Sequence, residues 1–139
     1  DGNLGERLMA VDRLARAAGH QHLCYIGSDA PALTPAFYRE VLRRLGASDV
    51  LLAPAADGGV TLMAAARPWP ELADLPWSTA RLGGSLAARC MAAGLTVQQL
   101  DGGHDVDRAA DLARLARDLA GDLRPARARL HGWLRALGF

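Results

Sequence analysis

The sequence has no lysine, and all sixteen of its basic residues are arginine. Lysine forms Schiff bases, acts as an amine general base and clamps phosphate as a compact charge, so these chemistries are excluded within the chain. Only arginine is left to neutralise phosphate. Cysteine is nearly as scarce. Cys24 lies in a short apolar run and Cys90 in a helical pattern. Without metal-type spacing, both read as small core hydrophobes of a reducing, cytoplasmic compartment. A strong charge of either sign is also missing, since the formal net charge is +1. That removes the electrostatic case for nucleic acid or a membrane surface as main partner. No apolar run approaches the ~20 residues of a membrane span, and no basic block followed by an apolar block opens the chain. Internal repeats and low-complexity tracts are absent too. The reading is a soluble protein.

What is present is a chain of 139 residues, half of them hydrophobic, enough for one domain with a real core over residues 1–139. It opens at Asp1 without methionine, in what reads as a loop, and is expected to be an N-terminally incomplete piece of a longer protein. Leu4, Leu8, Val11, Leu14, Ala15 and Ala18 recur at helical spacing up to Gly19. His22 to Ile26 is a short apolar run closed by Gly27-Ser28-Asp29-Ala30-Pro31, which predicts a buried parallel strand. Thr34 and Pro35 form a helix start, with Phe37, Val41, Leu42 and Leu45 on its apolar stripe and Gly46 at its end.

Two further strands, from Asp49 to Pro54 and from Val60 to Ala65, are separated by too few residues for a crossover, so a tight reversal or an offset joins them. The proline-rich stretch from Arg67 to Pro76 is a loop. Ser78 or Thr79 is placed to cap a helix through Ala93, weakened by Gly83 and Gly84. Thr96 to Leu100 alternates like an edge strand. Gly102-Gly103 then turns the chain into a helix carrying Leu112, Leu115, Ala116 and Leu119. A last helix after Pro125 shows Leu130, Trp133, Leu134 and Leu137 on one face and arginines on the other.

Asp29 is the first candidate for chemistry. It follows a strand, and in open α/β sheets ligands collect outside the carboxyl ends of the strands. A hard cation such as Mg²⁺ takes carboxylate and phosphate oxygens, which one aspartate there can serve. The plainer alternative is that Asp29 opens the turn before Pro31. For Asp57-Gly58-Gly59, a simple turn stands beside a functional reading in the same way.

The stretches Asn3-Leu4-Gly5-Glu6-Arg7-Leu8, Ile26-Gly27-Ser28-Asp29-Ala30-Pro31-Ala32-Leu33-Thr34, Leu52-Ala53-Pro54-Ala55-Ala56-Asp57-Gly58-Gly59, Pro76-Trp77-Ser78-Thr79 and His104-Asp105-Val106-Asp107 resemble an ordered series of motifs. The series they resemble is that of a bacterial glycosyltransferase A-like family, domain of unknown function 2064, related to molybdenum-cofactor and phospholactate guanylyltransferases. The resemblance implies the C-terminal part of a Rossmann-like α/β fold, a mostly parallel sheet with helices on both faces. It also implies a missing N-terminal nucleotide-binding segment. By the same resemblance Asp29 and Asp105 hold Mg²⁺ or Mn²⁺, and Asp57 and Asp105 are the catalytic carboxylates. Gly58, Gly59, Trp77, Ser78 and Thr79 line the substrate, with Trp77 either buried under the next helix or stacking at the crevice rim.

The chain departs from the family pattern in several places. Val60 stands where the family has tyrosine, and Asn3 where it has aspartate. After Asp107 the family prefers Thr-Pro-Glu-Asp, whereas this chain reads Arg108-Ala109-Ala110-Asp111. Asp107 is then expected to cap the helix, with Asp111 facing the helix dipole. His104 is a weaker metal candidate, and His20 and His22 weaker again. The arginine-rich final helix reads as a docked face more than as an anion site.

The function implied is metal-dependent transfer from a nucleotide-activated sugar. Nucleotidyl transfer from a nucleoside triphosphate is the close alternative, and a non-catalytic remnant serving as an interaction module is the rival from another class. Lacking neighbours beyond its first strand, the chain is expected to self-associate through an unpaired sheet edge.

Overall fold

The computed structural model describes residues 2–101 and 104–139. Asp1 and the expected turn at residues 102–103 lie outside the described residues. The elements follow in the order α1 (Leu4–Ala17), β1 (Leu23–Ile26), α2 (Pro35–Leu45), β2 (Val50–Pro54), β3 (Val60–Ala65), α3 (Leu82–Ala92), β4 (Val97–Gln99), α4 (Ala109–Asp118) and α5 (Pro125–Ala136).

Local chemistry sets the helix ends. Asn3 Oδ1 accepts the Glu6 N–H at 3.0 Å and Glu6 Oε2 accepts the Asn3 N–H at 2.7 Å, a reciprocal cap that starts α1. Thr34 Oγ1 accepts the Phe37 N–H at 3.1 Å, with Pro35 as the first residue of α2. Strands β2 and β3 form a hairpin, since the segment 55–59 between them is too short for anything else.

The sheet order is β1-β3-β2-β4. β3 is antiparallel to both β1 and β2, and β2 is parallel to β4. Three strands, β1, β2 and β4, therefore run in one direction and β3 runs against them. All three bring their carboxyl ends to the same end of the sheet.

Alternation along β2 and β3 splits the core between two faces. Val50, Leu52, Met63 and Ala65 pack with Leu82, Leu86 and Cys90 of α3 and with Trp69, Leu72 and Leu75 of the loop between β3 and α3, and Leu8 and Met9 of α1 lean on this layer. Leu51, Ala53, Leu62 and Ala64 pack on the other face with Val41 and Leu45 of α2. Leu115, Ala116 and Leu119 of α4 and Leu134 of α5 make a third cluster, which also receives Ala32 and Val106. No helix among the described residues is long and apolar enough to cross a membrane.

Several expectations are overturned. β1 is not a buried parallel strand but an edge strand antiparallel to β3, so its alternate residues face outward and Cys24 is exposed rather than in the core. Cys90 is buried as expected. On α1 the inward face is Gly5, Leu8, Met9 and Asp12, while Leu14 of the apolar stripe is 72% exposed. The helix is held in that rotation by polar bonds. Asp12 accepts from Arg16 Nε at 2.8 Å and from the Tyr25 hydroxyl at 3.2 Å, and Arg16 continues to the carbonyls of Gln21 and Arg67. In α5 only Leu134 is buried, and Trp133 and Leu137 are exposed.

The cap expected at Ser78 or Thr79 does not form. Ser78 sits in the left-handed region with φ 58, and the Thr79 hydroxyl donates to the Pro76 carbonyl at 2.7 Å and accepts the Arg81 N–H at 3.3 Å, which closes a turn ahead of the helix rather than its first turn. The chain therefore makes one more turn, and α3 begins at Leu82.

Leu86 lies between α3 and the sheet with no exposed surface, so Leu86→Ala is expected to cost about 2–5 kcal/mol in urea unfolding. Leu14→Ala, on the open side of α1, is expected to stay within about 0.5 kcal/mol. Equal losses at the two positions would show that the α1 stripe is covered in solution.

Candidate functional site

Three loops meet at the end of the sheet where β1, β2 and β4 terminate. After β1, the Gly27 N–H donates to the Thr61 carbonyl at 3.1 Å and the chain turns at the exposed Asp29. After β2, the Gly58 N–H donates to the Ala55 carbonyl at 3.1 Å and the Gly59 N–H to Asp57 Oδ1 at 2.8 Å, an aspartate-closed turn. After β4, the Leu100 N–H donates to the Leu52 carbonyl at 2.9 Å, and further along the chain the Val106 N–H donates to the Asp29 carbonyl at 2.9 Å. β1 and β4 are the two outer strands, and between their ends residues 104–107 lie against the turn that carries Asp57.

Gly58 fixes that turn. Its φ is 91, and a Cβ there would lie 2.0 Å from the Ala80 carbonyl oxygen. Only glycine combines this backbone with such close approach. The Gly83 N–H donates to the Gly58 carbonyl at 2.9 Å, so the start of α3 backs the turn directly. A cleft of about 180 Å³ beside it is lined by Gly59, Val60, Gly84 and Gln99, among others.

Along residues 104–107 the side chains alternate. His104 is buried and Val106 joins the α4–α5 cluster, while Asp105 is half-buried and Asp107 exposed. One carboxylate oxygen from each of Asp57, Asp105 and Asp107 lies within 4.8 Å of the other two. Burial raises the Asp105 carboxyl above its ordinary pKa, and the charges of Asp107, Asp57 and Asp29 raise it further, against one backbone hydrogen bond that lowers it. Asp29 is thus felt electrostatically, although its oxygens are not among the three that converge. Among the described residues no arginine pairs with Asp57, Asp105 or Asp107.

Of the expected site residues, Asp57 and Asp105 lie within 4.8 Å of one another and are joined by Asp107, which was expected to cap the helix; Asp29, expected to share a metal with Asp105, is not in this group of three. Asp107 is not the helix cap. Asp111 Oδ2 accepts the N–H groups of Asp107 and Arg108 at 3.2 and 2.8 Å, and this leaves the Asp107 carboxylate to face the cluster. The period-2 pattern of His104-Asp105-Val106-Asp107, with a valine between two aspartates, is the signal that could have paired them.

Trp77 is half-buried and donates its Nε1–H to the Leu72 carbonyl at 2.8 Å, with Gly5 of α1 close against the indole. Ser78 and Thr79 are exposed in the segment leading to Ala80 and α3. None of these three belongs to the carboxylate group. His104 is outside the cluster, and His20 and His22 are exposed.

The profile of a bacterial family described as "Uncharacterized protein conserved in bacteria (DUF2064)" matches residues 1–79. No curated protein matches the chain. A crystal structure from Desulfovibrio desulfuricans G20, provisionally named a nucleotide-diphospho-sugar transferase, superposes with a TM-score of 0.85 at 26% identity. The match covers 99% of this chain and 62% of that one, so the chain spans a little over three fifths of the solved protein's length.

Gly58→Ala is expected to destabilise the protein by more than about 1 kcal/mol, because the new methyl meets backbone and the left-handed φ is strained. Gly84→Ala, where a Cβ meets nothing within 4 Å, is expected to be neutral or to stabilise by up to about 1 kcal/mol through helix propensity. Thermal unfolding of the two variants checks this order.

Proposed function

The chain belongs to the bacterial DUF2064 family, and from that premise we propose that its sheet end is the divalent-cation side of a transferase site using a nucleotide-activated sugar as donor. The observation that carries the reading is the approach of Asp57, Asp105 and Asp107 to within 4.8 Å at the carboxyl ends of β2 and β4. Three carboxylates without a cationic side chain repel one another, and a hard cation with oxygen preference is the partner that turns the repulsion into attraction. The donor set, all carboxylate with no thiol or imidazole, fits Mg²⁺ or Mn²⁺.

In this reading Asp105 and Asp107 grip the cation from the loop after β4 and Asp57 from the hairpin turn. Asp29 adds negative potential from the end of β1. When bound, the cation would offset charge on the phosphates of the leaving nucleotide. Gly58 and Gly59 leave backbone without side chains beside Asp57, so that a sugar or acceptor approaches closely. The Desulfovibrio protein's provisional name supports a nucleotide-diphospho-sugar as the donor.

Two measurements test the proposal. Mn²⁺ at about a hundredfold over its dissociation constant is expected to stabilise the protein by about 2.7 kcal/mol, and Asp57→Asn to abolish the shift. Incubation with nucleotide-sugars is expected to release nucleoside diphosphate as the sugar passes to an acceptor hydroxyl or, without one, slowly to water. Release of pyrophosphate from a nucleoside triphosphate would assign nucleotidyl transfer instead, and no cation response would leave the carboxylates without this role.

The pH dependence has a definite sign. A carboxyl whose folded pKa is raised favours folding when protonated, and that contribution is lost as pH rises through the raised value. Without metal, Asp105→Asn is therefore expected to raise the Tm at pH 7 by a few degrees or less, roughly the scale of 1 kcal/mol in a chain of this size. Wild-type Mn²⁺ affinity is expected to fall as pH is lowered through the Asp105 value, because proton and cation compete. A variant less stable than wild type at pH 7 would contradict the repulsion.

A further inference from the structure

We propose that His104 is a positioning residue whose buried ring, held beside Asp118 of α4, sets the register in which Asp105 and Asp107 are presented to Asp57. The inference rests on the cation-site reading for its purpose. Its geometry stands on separate contacts.

His104 is 4% exposed, and neither ring nitrogen makes an aligned hydrogen bond with a described residue. Nδ1 nevertheless lies 3.3 Å from Asp118 Oδ2. A buried polar group without an aligned partner is unfavourable, and an apolar side chain would fill the same space without that disadvantage. Asp118 is also badly placed by local rules, as a carboxylate at the C-terminal end of α4 where the helix dipole is negative. The fold nevertheless holds the ring against this carboxylate. Arg114 Nε, one turn back at 3.9 Å, is a cation near Asp118.

What this pair fixes is the phase of the loop. Along residues 104–107 successive side chains take opposite sides. His104 and Val106 take the side of α4, the first against Asp118 and the second in the α4–α5 cluster. Asp105 and Asp107 are thereby turned together toward Asp57. The Val106 N–H bond to the Asp29 carbonyl, 2.9 Å long, holds the same phase at the backbone. A one-residue slip would bury both aspartates and expose the histidine.

The test compares His104→Ala, His104→Asn and Asp118→Asn by Mn²⁺ affinity from electron paramagnetic resonance, by amide exchange at Val106 and Leu119, and by urea unfolding. Asparagine carries an amide N–H about where Nδ1 stands. His104→Ala is expected to weaken Mn²⁺ binding about 10- to 100-fold, as lost support behind metal ligands does. Exchange at Val106 is expected to rise roughly tenfold while Leu119, inside the helix cluster, keeps its protection. His104→Asn restores most of both, and Asp118→Asn moves both in the direction of alanine.

If His104→Ala fails to fold, the comparison rests on Asp118→Asn, whose side chain is 42% exposed and whose loss leaves the ring in place. Unchanged Val106 exchange in Asp118→Asn, or an asparagine at 104 no better than alanine, overturns the proposal. A wild-type protein that binds no Mn²⁺ defeats the cation reading, and Val106 exchange alone then decides whether His104 positions the loop.

Discussion

The hydrogen bond from the Val106 N–H to the Asp29 carbonyl joins the loops that follow the two outer strands of the sheet. Four strands at about 4.8 Å spacing put β1 and β4 some 14 Å apart. Residues 104–107, which follow β4 in the chain, are nevertheless found beside the loop after β1. This placement brings Asp105 and Asp107 to Asp57, although they are far apart in the chain. It also seats Val106 against Leu115, Leu119 and Leu134, so that α4 and α5 pack where they brace this segment.

Against that brace stands an electrostatic conflict. Asp57, Asp105 and Asp107 crowd together, Asp29 adds its field, and the Asp105 carboxyl is raised in response. Elsewhere several acidic groups are paired with arginine. Arg43 and Arg44 hold Glu40 down to about 2, and Arg124 does the same for Asp122. Arginine is thus available in number and is used as a partner, but not at the sheet end. A cluster that breaks the local pairing rule, while surrounding backbone bonds and packing hold it in place, is where function is expected.

Much of the framework was legible in the sequence because it rests on local rules. Thr34 with Pro35, the 55–59 reversal, the edge character of β4 and the stripe of α4 each follow from capping, connection length or periodicity. The α/β class and the placement of Asp29 and Asp57 after strands followed as well. What was not legible depends on choices between competing local partners. The rotation of α1 was missed because Asp12 and Arg16 outbid Val11 and Leu14 for the inward face through bonds to Tyr25 and the carbonyls of Gln21 and Arg67. Asp107 was read as a cap because capping is what aspartate before a helix ordinarily does, and Asp111 took that role from inside the helix. β1 was read as buried from its apolar content, whereas its alternate exposure follows from its place at the sheet edge.

The central claim is that the loop after β4 builds a cation site with the hairpin turn. Anomalous diffraction from crystals grown with Mn²⁺ measures it directly. The account predicts one strong peak between Asp57, Asp105 and Asp107, with an oxygen of each at about 2 Å from the ion and the Val106 bond to Asp29 intact. A peak that leaves out Asp107, or carboxylates that stay apart with no ion between them at saturating Mn²⁺, would contradict it.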